Sequence, residues 1–178
     1  MVNLNAKPKV LFTEEQIQAR IQELAHDISK DYAHKHPLIL VTLAGSIFFA
    51  TDLMRKMEYP IEVDFIKASS YGSGDVSSGV VSIQYMPTIP LAGRHVIVVE
   101  DIIDTGATLQ KLRTVLTSDE NNKPASFAIV CLLDKPSRRK VDLVPEYVGF
   151  SIPDTFVVGY GLDYNNRYRN MPDVRYFE

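Results

Sequence analysis

The chain has 178 residues, of which 46% are hydrophobic, so it has about one domain's worth of residues and could bury roughly 70% of its unfolded surface in a single core. Its net charge of −3 and pI of about 5.8 argue against a nucleic-acid partner, which normally requires clustered positive charge. Because no apolar run approaches the ~20 residues that span a bilayer and residues 1–12 carry no secretory pattern, we expect a cytoplasmic protein with no membrane partner.

The first half of the chain predicts helices and strands in alternation. Thr13 and Gln16 have the spacing of a capping box, and an apolar stripe at helical spacing follows and ends before Pro37. The stripe, which we assign to the core, consists of Ile17, Ile21, Leu24, Ile28 and Tyr32. Strands are then predicted at residues 38–43 and 61–66, with a helix at 48–57 between them.

The second half continues this rhythm and then changes. Strands are predicted at residues 80–85, 94–99 and 125–133, with a helix around Leu112, and short strands at 147–150 and 156–160 follow. Alternating strands and helices favour an α/β fold with a mostly parallel sheet flanked by helices on both faces. The late strands have no helices between them, which predicts a small cap near the C-terminus.

The most informative segment follows the β-branched residues 96–99, which are typical of a strand covered on both faces. We predict that this strand ends near Glu100 and that a helix begins close to Thr108. Small residues at 105–107 would let an anion approach the positive helix start. Phosphate alone would be repelled by Glu100, Asp101 and Asp104, whereas a sugar phosphate with a divalent cation fits, since carboxylates bind hydroxyls and hydrated Mg²⁺.

A simpler interpretation of the same segment stays open. Asp104 could merely cap the helix, with Glu100 and Asp101 as solvated loop acids.

Three further features can be interpreted from their sequence context. Cys131, the only cysteine, lies in an apolar run and is predicted to be a buried hydrophobe. Lys135 ends a strand at the sheet edge where ligands of α/β proteins bind, whereas most of residues 138–140 read as a solvated basic loop. The Gly/Ser-rich residues 68–79 have the composition of a mobile loop.

Residues 96–109 resemble the phosphoribosyl pyrophosphate (PRPP) signature of type I phosphoribosyltransferases. Residues 132–139, 148–154 and 156–164, with the loop at 69–72, resemble the hypoxanthine-guanine phosphoribosyltransferases, particularly bacterial ones. The similarity spans nearly the whole chain. It implies a single domain with a Rossmann-like core at about 10–135, and a hood over the purine site formed mainly by about 136–178 with an N-terminal contribution.

The resemblance also assigns roles in a reaction between PRPP and a 6-oxopurine such as hypoxanthine or guanine. Glu100 and Asp101 would hold the ribose hydroxyls and Mg²⁺, and the 5′-phosphate would be bound by Asp104, Thr105, Gly106, Ala107 and Thr108. Asp104 would also be the catalytic base that accepts the purine N7 proton.

Purine binding is implied for Ile102, for Lys135 as donor to the 6-oxo group, for Phe156 by stacking and for Val157 through its backbone. Asp163 resembles a purine-side residue that is also a ligand to a second Mg²⁺.

Pyrophosphate contacts are implied for Arg169 and for the backbone of Ala44 and Gly45. Many relatives carry a basic residue where Ala44 stands, and in relatives the peptide bond corresponding to Leu43–Ala44 can be cis. Ser70 and Tyr71 resemble flap residues that close over the transition state.

Two rival functions stay open from the sequence. The first is a nucleotide-sensing regulator that uses this fold to bind RNA, which the acidic pI weakens. The second is a phosphoribosyltransferase for another base, which Lys135 and the segment around Phe156 oppose. Relatives usually form dimers or tetramers, so a homodimer or homotetramer is expected.

Overall fold

Helices and strands alternate through most of the computed structural model, which describes residues 7–70 and 81–177. In chain order the elements are β1 Lys9–Phe12, α1 Glu14–Asp31, β2 Leu38–Thr42, α2 Ile47–Arg55, β3 Glu62–Ser70, β4 Val81–Tyr85, β5 His95–Ile103, α3 Ala107–Ser118, β6 Ser126–Asp134, a 3₁₀ helix Pro136–Arg138, β7 Tyr147–Ser151, β8 Val157–Val158 and β9 Val174–Tyr176. None of the helices in these ranges is long and apolar enough to cross a membrane.

The main sheet has six strands in the order β4-β3-β2-β5-β6-β7. All neighbours are parallel except β3 and β4. Helices pack on both faces, because side chains alternate along each buried strand. Ile39 and Val41 of β2 face α1 and α2, whereas Leu38 and Leu40 face α3. The predicted α/β architecture is confirmed.

A second sheet joins the two ends of the chain. It has three antiparallel strands in the order β1-β9-β8, with Lys9 opposite Tyr176. β1 and β9 were not predicted from the sequence. Residues 136–178 were predicted to form mainly the hood, but β7 pairs in parallel with β6 and therefore extends the main sheet.

Several local predictions are confirmed. The Thr13 hydroxyl accepts from the Gln16 amide at 3.3 Å, and the Thr13 amide donates to the Gln16 side chain at 2.9 Å. Cys131 is fully buried, and this burial raises the pKa of its thiol well above the usual value. The residue therefore acts as a small hydrophobe.

The main sheet positions the candidate site. Parallel strands present their carboxyl ends at one edge, where ligands of α/β folds bind. The residues after Thr42, the end of β5 and the segment after Asp134 all lie at this edge. Their chain positions are far apart, so the sheet brings them together.

Candidate active site

The acidic pair lies inside a paired strand. We predicted that the strand would end near Glu100, but β5 continues to Ile103, because Ile102 and Ile103 still pair with Leu133 and Asp134 of β6. Glu100 and Asp101 are consequently half-buried, and the interpretation that they are solvated loop acids is wrong.

Burial sets the electrostatics of this pair. It raises the pKa of Glu100 well above the usual value, and the adjacent Asp101 carboxylate raises it further. Burial also raises the pKa of Asp101, although hydrogen bonds from Glu100 and the Ile102 amide and the charge of Arg169 oppose this rise. Two acids held in this way would gain from hydroxyl donors or a cation.

The predicted phosphate turn has the expected start of a helix. α3 begins at Ala107, and Gly106 is its N-cap, with φ of 81° and no side chain to cap the helix. Gly106 is also closely packed, since an added Cβ would lie 2.9 Å from Val141. The first-turn amides of a helix lack partners inside it and favour an anion. Thr105, Ala107 and Thr108 flank this turn and are half-buried.

Asp104 does not cap the helix. Its carboxylate accepts from Arg138, with Nε 2.9 Å from Oδ1 and Nη2 3.5 Å from Oδ2. The Arg138 guanidinium also reaches Asp154 at 3.3 Å. The capping interpretation of Asp104 is therefore wrong.

Arg139 supports the same turn from inside the protein. Its guanidinium donates to the Asp104 carbonyl oxygen at 2.7 Å and forms an ion pair with the buried Asp134. The Lys140 amide donates to the Thr105 carbonyl at 3.0 Å. The prediction that residues 138–140 are mostly solvated is confirmed for Arg138 and Lys140, which are exposed, whereas Arg139 is half-buried and ties the turn to the end of β6.

The loop after β2 meets the acidic pair directly. The peptide bond between Leu43 and Ala44 is cis. A Cβ added to Gly45 would lie 1.7 Å from Asp101 Oδ2 and 3.2 Å from Arg169 Nη1. Thr42 ties this loop to β5, since its hydroxyl lies 2.8 Å from the Val99 carbonyl oxygen and 2.8 Å from the Ser46 hydroxyl.

Arg169 brings the C-terminal segment to this loop. Its guanidinium donates to the Gly161 carbonyl at 2.5 Å and pairs with Asp163 at 2.6 Å. Gly161 has φ of 97°, and an added Cβ would lie 2.0 Å from the Gly45 carbonyl oxygen. The three predicted pyrophosphate residues, Ala44, Gly45 and Arg169, therefore belong to one contiguous region beside Asp101.

Four of the predicted purine residues, Ile102, Lys135, Phe156 and Val157, differ in their burial. Lys135 is 8% exposed, its amide donates to the Ile103 carbonyl at 2.9 Å and its Nζ lies 3.9 Å from Asp154. Ile102 is half-buried, and Val157 is buried in the small sheet. Phe156 is 36% exposed, and its ring contacts Tyr164 edge-on at 5.7 Å. A partly exposed aromatic ring and a buried cation are both groups that would suit a planar, polar heterocycle.

A family model described as phosphoribosyl transferase domain matches residues 11–165 of this chain. The hypoxanthine phosphoribosyltransferase of Salmonella typhimurium is 49% identical over 168 residues, which cover 93% of each chain. This chain belongs to the hypoxanthine-guanine phosphoribosyltransferase family. The resemblance inferred from the sequence motifs is thereby confirmed.

Two further comparisons describe the range of the family. A solved hypoxanthine phosphoribosyltransferase structure from Staphylococcus aureus has a TM-score of 0.90 and 42% identity, covering 96% of this chain and 91% of that chain. The bifunctional protein TilS/HprT of Listeria monocytogenes is 44% identical over 166 residues, which are 93% of this chain and 25% of that protein. The chain thus spans about a quarter of the length of this phosphoribosyltransferase relative.

One predicted metal ligand has protein partners of its own, and part of the predicted flap lies outside the described ranges. Glu100 and Asp101 are neighbours, whereas Asp163 is held by Arg169 and by the Asn166 amide. Within residues 7–70 and 81–177, no three His, Cys, Asp or Glu side chains form a group that could hold a metal ion alone. Ser70 ends β3, which continues beyond the predicted strand 61–66, and Tyr71 with most of the predicted loop lies outside the described residues.

The ion pairs that surround the turn were not predicted from the sequence. Arg138, Arg139 and Asp154 all contact it or its neighbours, and each was assigned no role. The signal was present in the basic run after Lys135. Nothing in the run itself, however, indicates which acid each arginine meets.

Replacing Gly45 by Ala is expected to lower kcat/KM about tenfold, because the new methyl group would displace the Asp101 carboxylate and misplace a group in the site. The melting temperature should change little, since a short side chain can rotate away. Gly149→Ala is the contrasting variant and should lower the melting temperature, because its Cβ would lie 2.4 Å from the Leu132 carbonyl oxygen, a backbone atom that cannot rotate away. Thermal melting and steady-state kinetics of both variants test this, and full activity in Gly45→Ala would contradict it.

Proposed function

We propose that this protein transfers the 5-phosphoribosyl group of PRPP to hypoxanthine, and also to guanine, releasing pyrophosphate and forming IMP or GMP. The observation that carries this proposal is the packing of the Gly45 loop and Arg169 against Asp101, beside the anion-binding start of α3. The carboxyl edge of the main sheet would thereby offer sites for the two phosphate-bearing ends of one sugar. The relatives named for this activity support the same conclusion.

The reaction forms a bond from the purine nitrogen to the anomeric carbon and breaks the bond from that carbon to pyrophosphate. Positive charge grows on the ribose ring while negative charge grows on the leaving group. A site for this reaction needs oriented donors for pyrophosphate and acceptors near the sugar. Here Gly45, Ala44 and Arg169 would bind pyrophosphate, while Glu100 and Asp101 would accept from the ribose hydroxyls.

The 5′-phosphate would bind at residues 104–108, where the first turn of α3 offers backbone amides. The closely packed Gly106 and the contacts of Arg139 give this turn a fixed shape before substrate arrives. Preformed donors cost less ordering when the phosphate binds.

The donor set fits Mg²⁺ that is shared with the substrate. Mg²⁺ in phosphate-binding sites is commonly held by one or two carboxylates together with phosphates and waters, which agrees with the absence of a three-residue cluster in the described part of the chain. Glu100 and Asp101 would hold one ion, and Asp163 would hold a second. When bound, Mg²⁺ would neutralise charge on the pyrophosphate leaving group.

The purine would lie between the turn and the small sheet. Asp104 would accept the N7 proton as the other imidazole nitrogen of the purine attacks the anomeric carbon. Lys135 would donate to the 6-oxo group. Phe156 would stack on the ring, with Ile102 and the Val157 backbone beside it. Asp163 would lie on the purine side of the site. Ser70 and Tyr71 would close over the reacting atoms and exclude water.

A homodimer or homotetramer is part of this proposal. Ile47 and Phe48 at the start of α2, Val63 of β3 and Tyr85 of β4 are 39–43% exposed, and Met86 after β4 is 46% exposed. Exposed apolar side chains of this kind would suit contact with a second copy of the chain. Light scattering should give a mass two or four times the 20.0 kDa of one chain, and a mass of one chain would contradict this part of the proposal. The cytoplasm is the proposed location.

The test is steady-state turnover of hypoxanthine, guanine, xanthine and adenine, each with PRPP and Mg²⁺. Hypoxanthine and guanine should react, and adenine should react far more slowly. Turnover of adenine alone, or of no purine, would contradict the proposal. A gel-shift assay with RNA beside these measurements would detect the rival regulatory function.

A further inference from the structure

Arg138 forms an ion pair with the carboxylate of Asp104, which the proposed reaction needs as its base. Its guanidinium forms a fork onto Asp104, with contacts of 2.9 and 3.5 Å. The purine N–H and this guanidinium would compete for the same oxygen atoms. Asp104 therefore has to be released before it can accept a proton from the substrate.

The ion pair between Arg138 and Asp104 can exchange partners. The side chains of Arg138 and Asp104 are 43% and 42% exposed, and ion pairs in contact with water contribute little to stability. A second acid is already within reach, because Arg138 Nη1 lies 3.3 Å from Asp154. A shift of the guanidinium toward Asp154 would free Asp104 without leaving Arg138 unpaired.

Lys135 completes a balanced set of charges. Its Nζ lies 3.9 Å from Asp154, so two cations and two anions face one another at the end of β6. A 6-oxopurine would engage Lys135 and Asp104 together. The partners left over, Arg138 and Asp154, carry opposite charges and would then pair with each other.

We propose that Arg138 is a positioning residue that holds Asp104 in the free enzyme and exchanges it for Asp154 when the purine binds. This rests on the proposed role of Asp104 as acceptor of the purine proton. Arg138 thereby opposes purine binding, and Asp154 favours it by drawing the guanidinium away.

The experiment measures kcat and the KM values of hypoxanthine and PRPP. Arg138→Met should lower the KM of hypoxanthine about threefold, the order expected for an exposed ion pair, with kcat and the KM of PRPP unchanged. Asp154→Asn should raise the KM of hypoxanthine by a similar factor, because it leaves Asp104 as the remaining carboxylate partner of Arg138 in this set. Arg138→Lys, which keeps the charge but loses the fork, should lie between wild type and Arg138→Met.

A double-mutant cycle separates this role from a structural one. In the Asp104→Asn background, Arg138→Met should leave the KM of hypoxanthine unchanged, because the guanidinium no longer has a carboxylate to hold there. Lys140→Met is the matched control, since Lys140 is exposed and its ammonium forms no ion pair among the described residues.

An unchanged or raised KM in Arg138→Met, or an effect that persists in the Asp104→Asn background, would overturn the inference. Failure of the wild-type protein to turn over any purine would instead reject the proposed function. The two failures are therefore distinguishable.

Discussion

Asp104→Asn is expected to slow the chemical step about a hundredfold or more, the range for losing a general base. Asn has nearly the same shape as Asp and keeps one carbonyl acceptor, but it cannot take up the purine proton. The turn should keep its shape, because Arg139 binds the carbonyl oxygen of residue 104 rather than its side chain. The loss should therefore fall on the reaction and not on phosphate binding.

Single-turnover kinetics with saturating PRPP and hypoxanthine are the decisive measurement, since product release can limit kcat and mask a slower chemical step. Asp142→Asn is a control, because Asp142 is an exposed acid in the segment between the 3₁₀ helix and β7. A single-turnover rate like that of wild type would reject Asp104 as the base. An equal rise in the KM of PRPP would point to phosphate binding instead.

The main sheet was predictable because its signals are local. Residues such as Ile97 and Val98 are apolar and β-branched, and they are buried on opposite faces of β5. The short β1 and β9 were missed because their pairing, Lys9 with Tyr176, joins distant parts of the chain. No local pattern indicates such a partner. β7 was misplaced for a related reason, since it follows β6 in parallel with only a short 3₁₀ helix between them.

The same distinction applies to the site. The acids and small residues of 100–108 are consecutive, so the segment could be recognised from its order alone. The ion pair between Asp104 and Arg138 joins residues 34 positions apart, and Gly45 meets Asp101 only because β2 and β5 are neighbours. The strand end was misjudged at Glu100 because charged residues resemble a loop. Pairing with β6 keeps them extended.

Lys135→Gln is expected to lower kcat/KM for hypoxanthine about a hundredfold. It should also lower the ratio of kcat/KM for hypoxanthine to kcat/KM for adenine by a similar factor or more. Lys135 is buried and offers only donors, so it suits a 6-oxo group and leaves the adenine amino group facing another donor. Gln carries both a donor and an acceptor and can turn either toward the base. The variant should therefore accept adenine better relative to hypoxanthine.

The measurement is kcat/KM for hypoxanthine, guanine and adenine with wild type, Lys135→Gln and the exposed control Lys140→Gln. The control should keep the wild-type ratio, because it removes the same charge at a distance from the proposed 6-oxo contact. Removal of Lys135 also leaves Asp154 with Arg138 as its nearby cation, so some loss for hypoxanthine would come from altered charge. The ratio of the two bases isolates recognition from that general loss. If Lys135→Gln rejected adenine as fully as wild type, selectivity would have to come from other groups around the base.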